Sequence, residues 1–85
     1  MDLRQIEKRL EEILTKATGW LPAHELEHML ELAQANEPGI ALEDFCSQLY
    51  EHDVAIPHAT VDELRSLASA MGMTVPAWVE RGGYA

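Results

Sequence analysis

Residues 24–28 read H-E-L-E-H, which fits the H-E-x-x-H pattern of helical zinc peptidases. In that pattern two histidines one helical turn apart bind the metal, and the glutamate between them acts as the general base. A catalytic zinc also needs a third protein ligand and an open coordination position in a sheltered cleft. The question is whether the rest of the chain can supply a third ligand and a sheltered cleft.

The apolar spacing around this motif places both histidines away from the predicted core. With Leu26 set to zero on a helical wheel, the apolar positions of this helix fall within roughly 60°, while His24 and His28 fall at about 160° and 200°. We do not expect four short helices to build a walled groove on that outer face. We therefore predict no metal cofactor and no peptidase, and we keep His24 and His28 only as an incidental weak site for zinc or nickel, a remote alternative.

Other residues with reactive side chains lack the setting that catalysis requires. Cys46, the single cysteine, lies on an apolar stripe with Phe45 and Leu49, which indicates a core residue and excludes an internal disulfide. No serine stands in a G-x-S-x-G context or in an Asp-Ser-Leu at the head of a helix, as a hydrolase or a carrier protein would need. We predict no catalytic residue, no cofactor and no enzymatic activity.

Apolar residues recur at helical spacing over four segments of the chain, and no segment alternates with a period of two. Short links between the segments favour antiparallel neighbours. The sequence therefore predicts one all-α domain over residues 1–85, a small antiparallel bundle with a possible short turn over 74–79. The predicted helices cover about 2–17, 22–36, 39–52 and 60–71.

Residues at the ends of these segments predict where the helices begin and end. Asp2 is a candidate cap for the first helix, and Pro22 suits the first turn of the second. Thr60 and Glu63 have the spacing of a capping box at the start of the fourth helix. Gly72 is expected to end that helix.

The charge of the chain is acidic and unevenly distributed. Fifteen Asp and Glu residues against six Lys and Arg give a net charge of −9. Between Ala17 and Leu64 there is no Lys or Arg, and this stretch has a formal charge of −10 while the rest sums to +1. Such a field repels nucleic acid and anionic membranes and attracts cationic proteins. The alternative interpretation is that the acidity only keeps a small protein soluble.

The predicted third helix carries an acidic face beside a tyrosine. Tyrosine offers rigid contact area, and a carboxylate can accept two hydrogen bonds from one arginine. This face therefore suits an Arg- or Lys-rich partner. A solvated helix face without a partner is the alternative. The candidate partner-binding residues are Glu43, Asp44, Tyr50 and Glu51, with Glu27, Glu31 and Asp53 nearby in the acidic stretch.

The segment NEPGIALEDFCSQLYEHDVAI, from Asn36 to Ile56, resembles the middle of the MafI-type family of bacterial immunity proteins. The family pattern is an E-P-x-x-A-L-E turn into a helix, followed by L-Y-E and an acidic residue. The run D-E-L-R-S-L-A-S-A-M-G-M over 62–73 resembles the closing helix of that family. The matching positions of the first segment are Glu37, Pro38, Ala41, Leu42, Glu43, Leu49, Tyr50, Glu51 and Asp53.

The resemblance implies an antitoxin that binds and neutralises the C-terminal domain of a polymorphic or contact-delivered toxin, often a nuclease. It names neither the toxin nor the contact residues, and the oligomeric state stays open. The chain also shows neither a secretory signal nor an apolar span, so we expect a cytoplasmic protein. The alternative is a general acidic interaction or regulatory module with another basic or helical partner.

Overall fold

Four helices make up most of residues 1–74, which are the residues that this computed structural model describes. They are α1 (Leu3–Lys16), α2 (Ala23–Gln34), α3 (Pro38–Glu51) and α4 (His58–Ala70). No strand occurs in residues 1–74, where the only β-type pairing is an isolated bridge between Thr18 and Leu21. The predicted all-α bundle of four helices is confirmed. Most of the turn suggested over 74–79 lies outside the described residues.

The first helix begins where its cap predicts. The backbone N–H of Gln5 donates to Oδ1 of Asp2 at 2.9 Å, and the backbone N–H of Asp2 donates to the Gln5 side-chain oxygen at 3.0 Å. This reciprocal capping box satisfies two backbone donors that the helix itself leaves unpaired. The helix then buries Ile6, Leu10, Ile13 and Leu14 on one face.

Three helices end on a residue with a positive φ angle. These residues are Asn36 after α2, Asp53 after α3 and Gly72 after α4. In each case the next backbone N–H donates back into the last turn, at 2.9 Å to Leu32, 2.9 Å to Leu49 and 2.8 Å to Ala68. This is the Schellman ending, and it turns the chain sharply enough to give short links between antiparallel helices.

The core lies between the four helices and is closed by a connecting segment. Phe45 and Leu49 of α3 are fully buried, together with Leu10 of α1, Met29 of α2 and Leu64 of α4. The extended link between α3 and α4 adds Ile56, also fully buried. Trp20 is half-buried and packs against this core, as a lid residue is expected to do.

Two predicted helix starts are shifted. The fourth helix begins at His58 rather than at residue 60, and Pro57, with an extended backbone, occupies the cap position without a side-chain hydrogen bond. The predicted capping box of Thr60 and Glu63 is therefore wrong. Thr60 lies within the first turn and is buried beside Val61, so packing rather than capping accounts for it. Pro22 likewise precedes α2 as its cap residue instead of lying inside the first turn.

Candidate partner-binding surface

A surface groove of about 560 Å³ runs between α2 and α3. One wall comes from the first half of α2 and carries His24, Glu25 and His28. The opposite wall belongs to α3, and its side chains are Ile40, Glu43, Asp44, Ser47 and Gln48. We refer to this depression as the α2–α3 groove. Its walls combine three carboxylates, two imidazoles and one apolar side chain that is 52% exposed, Ile40.

His24 and His28 are both exposed, as the helical wheel predicts. The expectation that no groove could form beside them is wrong, because α3 packs along α2 closely enough to supply a second wall. The wheel of an isolated helix shows which face avoids the core, but it does not show whether a neighbouring helix rises beside that face.

Glu25, the middle acid of the H-E-x-x-H motif, contacts a histidine outside the motif. Its Oε2 atom lies 3.3 Å from Nε2 of His52, the residue that caps the C-terminal end of α3. The hydrogen-bond contact itself runs between Nε2 and Oε1, at 3.5 Å. The glutamate that would be the general base of a zinc peptidase therefore contacts a residue at the end of a second helix. Among residues 1–74, no three His, Cys, Asp or Glu side chains are grouped so that they could hold a metal ion.

The predicted partner-binding residues divide into two sets in space. Glu43 and Asp44 line the α2–α3 groove, and Glu51 is exposed two turns beyond Asp44 on the same face of α3. Asp44 is half-buried by its position in the groove wall rather than fully exposed. Tyr50 is 65% exposed and lies on the same flank of α3 as Glu43. These four residues form one candidate surface.

The other three candidates do not line this groove. Glu27 lines a separate groove between α1 and α2 whose other walls are largely apolar, with Leu14, Leu21, Leu26 and Leu30 among its residues. Glu31 is exposed and lines neither groove. Asp53 is exposed in the turn after α3, where its φ angle is 52°. Sequence proximity had grouped these residues with Glu43, but the helix geometry separates them.

The carboxylates of the candidate surface are not neutralised by the rest of the described chain. Among residues 1–74, Glu43, Asp44 and Glu51 form no ion pair, and the only contact to an Arg or Lys in the acidic stretch joins Asp62 to Arg65 at 3.5 Å. The four basic residues of α1 lie on a different helix. Within residues 1–74, the three acids of the candidate surface therefore keep their negative charge without a cationic partner.

Cys46 is buried beneath this surface and is not a reactive thiol. Its pKa is raised from the ordinary value of 9.0 to about 11, first because burial disfavours the thiolate and second because Glu43 adds a nearby negative charge. The position agrees with the core assignment made from the helical stripe. The raised pKa opposes nucleophilic chemistry, which needs the thiolate.

Sequence reasoning missed three residues of the groove, Ile40, Ser47 and Gln48. Ile40 carried a usable signal, because an isoleucine opposite the buried stripe of an amphipathic helix is exposed unless something covers it. Ser47 and Gln48 carried none, since small and amide side chains are ordinary on a solvated helix.

Comparison of the chain with family models, with curated proteins and with solved structures found no match. The resemblance over residues 36–56 and 62–73 therefore depends on those residues alone. Within the described residues, no helix has both the length and the apolar character that crossing a bilayer requires.

Proposed function

We propose that this protein is an immunity protein that acts in the cytoplasm, where it binds a bacterial toxin domain and neutralises it. The bound domain is basic, of the nuclease class, and it contacts the acidic surface formed by Glu43, Asp44, Tyr50 and Glu51. Inhibition of this kind makes and breaks no covalent bond, so it requires neither a catalytic residue nor a cofactor.

The observation that carries the proposal is the acidic surface on α3, where Glu43, Asp44 and Glu51 form no ion pair within residues 1–74. A nuclease must present cationic side chains to the phosphates of its substrate, and an acidic inhibitor is attracted by the same field. Exposed Ile40 and Tyr50 add apolar and aromatic contact area beside the carboxylates. Long-range attraction would set the association rate. Contacts of Ile40 and Tyr50 that lose their water on binding would set the lifetime of the complex.

The resemblance to MafI-type immunity proteins supports the same function, and its matched positions fall into two structural classes. Pro38, Ala41, Leu42 and Leu49 are buried and build the α2–α3 scaffold. Glu37, Glu43, Tyr50, Glu51 and Asp53 are exposed. A pattern that includes exposed acids and an exposed tyrosine is not explained by helix packing alone, which favours a binding role for that surface.

Co-expression tests the function directly. The chain would be expressed in bacteria together with the toxic domain encoded by the neighbouring reading frame, and growth and complex formation would be measured. We expect the domain to arrest growth alone and the two proteins to co-purify when growth is restored. A neighbouring domain that is harmless, or one whose toxicity persists despite expression of the folded chain, would contradict the immunity function. The second candidate, a general acidic interaction module, would then be favoured, since the groove fits other cationic partners.

A further inference from the structure

The H-E-x-x-H segment has no role in the proposed binding of a toxin, yet its two histidines lie together on one wall of the α2–α3 groove. We propose that His24 and His28 form a two-histidine chelate for a divalent transition-metal ion. The chelate binds Cu²⁺ more tightly than Ni²⁺ or Zn²⁺, as the general order of affinities for nitrogen ligands requires.

The helix holds the two imidazoles at the spacing that chelation needs. Residues four apart on a helix have Cβ atoms about 5–6 Å from each other and face the same side. Both histidines lie within α2, which spans Ala23–Gln34, so their backbone is already ordered before a metal arrives. Both are exposed, and neither forms a hydrogen bond or an ion pair with another residue in 1–74. Their ring nitrogens are therefore available without breaking an existing contact.

The groove attracts a cation, but it does not surround the ion with protein ligands. Glu43 and Asp44 lie on the facing wall, and their negative charge raises the local concentration of cations. No three potential ligands are gathered around one point in residues 1–74, so water fills the remaining coordination positions. Glu25, between the two histidines in sequence, contacts His52 of α3 at 3.3 Å. The site binds a metal ion reversibly.

The test is a calorimetric titration of the full chain at pH 7.5 with CuCl₂, NiCl₂ and ZnCl₂ in turn. We expect one ion per chain and an affinity that falls by more than about tenfold in both His24→Ala and His28→Ala, since even loss of an outer-shell partner weakens metal sites by that much. The matched control is His58→Ala, which removes a histidine from α4. This control should bind like the parent chain.

A further measurement separates a specific site from a folding effect. Circular dichroism would confirm that each variant is folded, and His24→Gln and His28→Gln would replace any alanine variant that is not. Unchanged binding in folded His28→Ala, an equal loss in His58→Ala, or no detectable binding by the parent chain would each overturn the proposal.

Discussion

Oε2 of Glu25 and Nε2 of His52 lie 3.3 Å apart, and this contact joins the first turn of α2 to the C-terminal cap of α3. Glu25 is at the helix end that suits its charge, because carboxylates are favoured at helix N-termini. The pair also confirms that α2 and α3 run antiparallel. Glu25 also lines the α2–α3 groove, so the contact links one wall of the groove to the end of α3.

A double-mutant cycle on Glu25 and His52 measures what this contact contributes. The side chains are 24% and 40% exposed, so solvent screens the pair and the coupling free energy should be about 0.5 kcal/mol and below about 1 kcal/mol. Urea unfolding of the parent, Glu25→Ala, His52→Ala and the double variant at pH 7 gives this value. The Asp62–Arg65 pair within α4 is a suitable control, and its greater exposure predicts a smaller coupling. A coupling above about 2 kcal/mol would show that the contact is a main support of the fold.

Reversal of the charges on the candidate surface tests the electrostatic part of the proposed function. The triple variant Glu43→Lys, Asp44→Lys, Glu51→Lys should associate with the toxin domain about tenfold or more slowly at low salt, and the difference should shrink as salt screens the field. Stopped-flow measurement of the association rate against salt concentration reports this effect.

The matched control reverses Glu7, Glu11 and Glu12 on α1 and changes the net charge by the same amount. If the position of the charge matters, this control keeps most of the association rate. Equal slowing in both triple variants would mean that only net charge acts. An unchanged rate in the variant of Glu43, Asp44 and Glu51 would show that the toxin binds elsewhere.

The helices and the core could be predicted from the sequence because both follow from short-range rules. Apolar residues at a period of 3.6 mark the buried stripes, and local signals such as Asp2 and Gly72 mark where helices begin or end. Cys46 could be assigned to the core for the same reason. The start of α4 was mistaken because Thr60 has the right spacing for a cap, while burial of Thr60 and Val61 favours a helix that begins earlier.

The candidate surface could be predicted only in part. The exposure of Glu43, Tyr50 and Glu51 follows from the periodicity of α3, but the groove between two helices is a tertiary feature. Its shape depends on how closely α2 and α3 pack. The spacing of apolar residues along the sequence does not give that distance. For that reason Glu27 was grouped with residues that lie across its helix, and Ile40 was overlooked although it lines the groove.

The thiol of Cys46 should react slowly in the folded protein. With a pKa of about 11, only about one thiol in a thousand is ionised at pH 8, and burial restricts access further. Modification by a thiol reagent should therefore be slow in buffer and fast in denaturing urea, which serves as the unfolded control. Rapid labelling of the native protein would show that the region around Cys46 opens readily.

The same thiol predicts a loss of stability at alkaline pH. In the unfolded chain it ionises around its ordinary pKa of 9.0, whereas in the folded chain it stays protonated until about pH 11. The unfolded state therefore binds fewer protons over that window, and the free energy of unfolding falls as the pH rises from 9 to 11. Urea unfolding of the parent and of Cys46→Ala across this range isolates the effect, since the variant should lose less stability with pH. Parallel curves for the two proteins would contradict the assignment.

Gly39 inside α3 and Gly72 after α4 should respond differently to replacement by alanine. Gly72 has a φ angle of +68°, which a side chain disfavours, so Gly72→Ala should lower the free energy of unfolding by about 1 kcal/mol.

Gly39 lies inside α3, where alanine is preferred over glycine by about 1 kcal/mol. A Cβ there would come within 3.3 Å of Sδ of Met73, a flexible side chain that can move aside. Gly39→Ala should therefore leave the protein equally stable or slightly more stable. Thermal and urea unfolding of both variants measure the contrast, and a clear destabilisation by Gly39→Ala would show that Met73 is held rigidly against the start of α3.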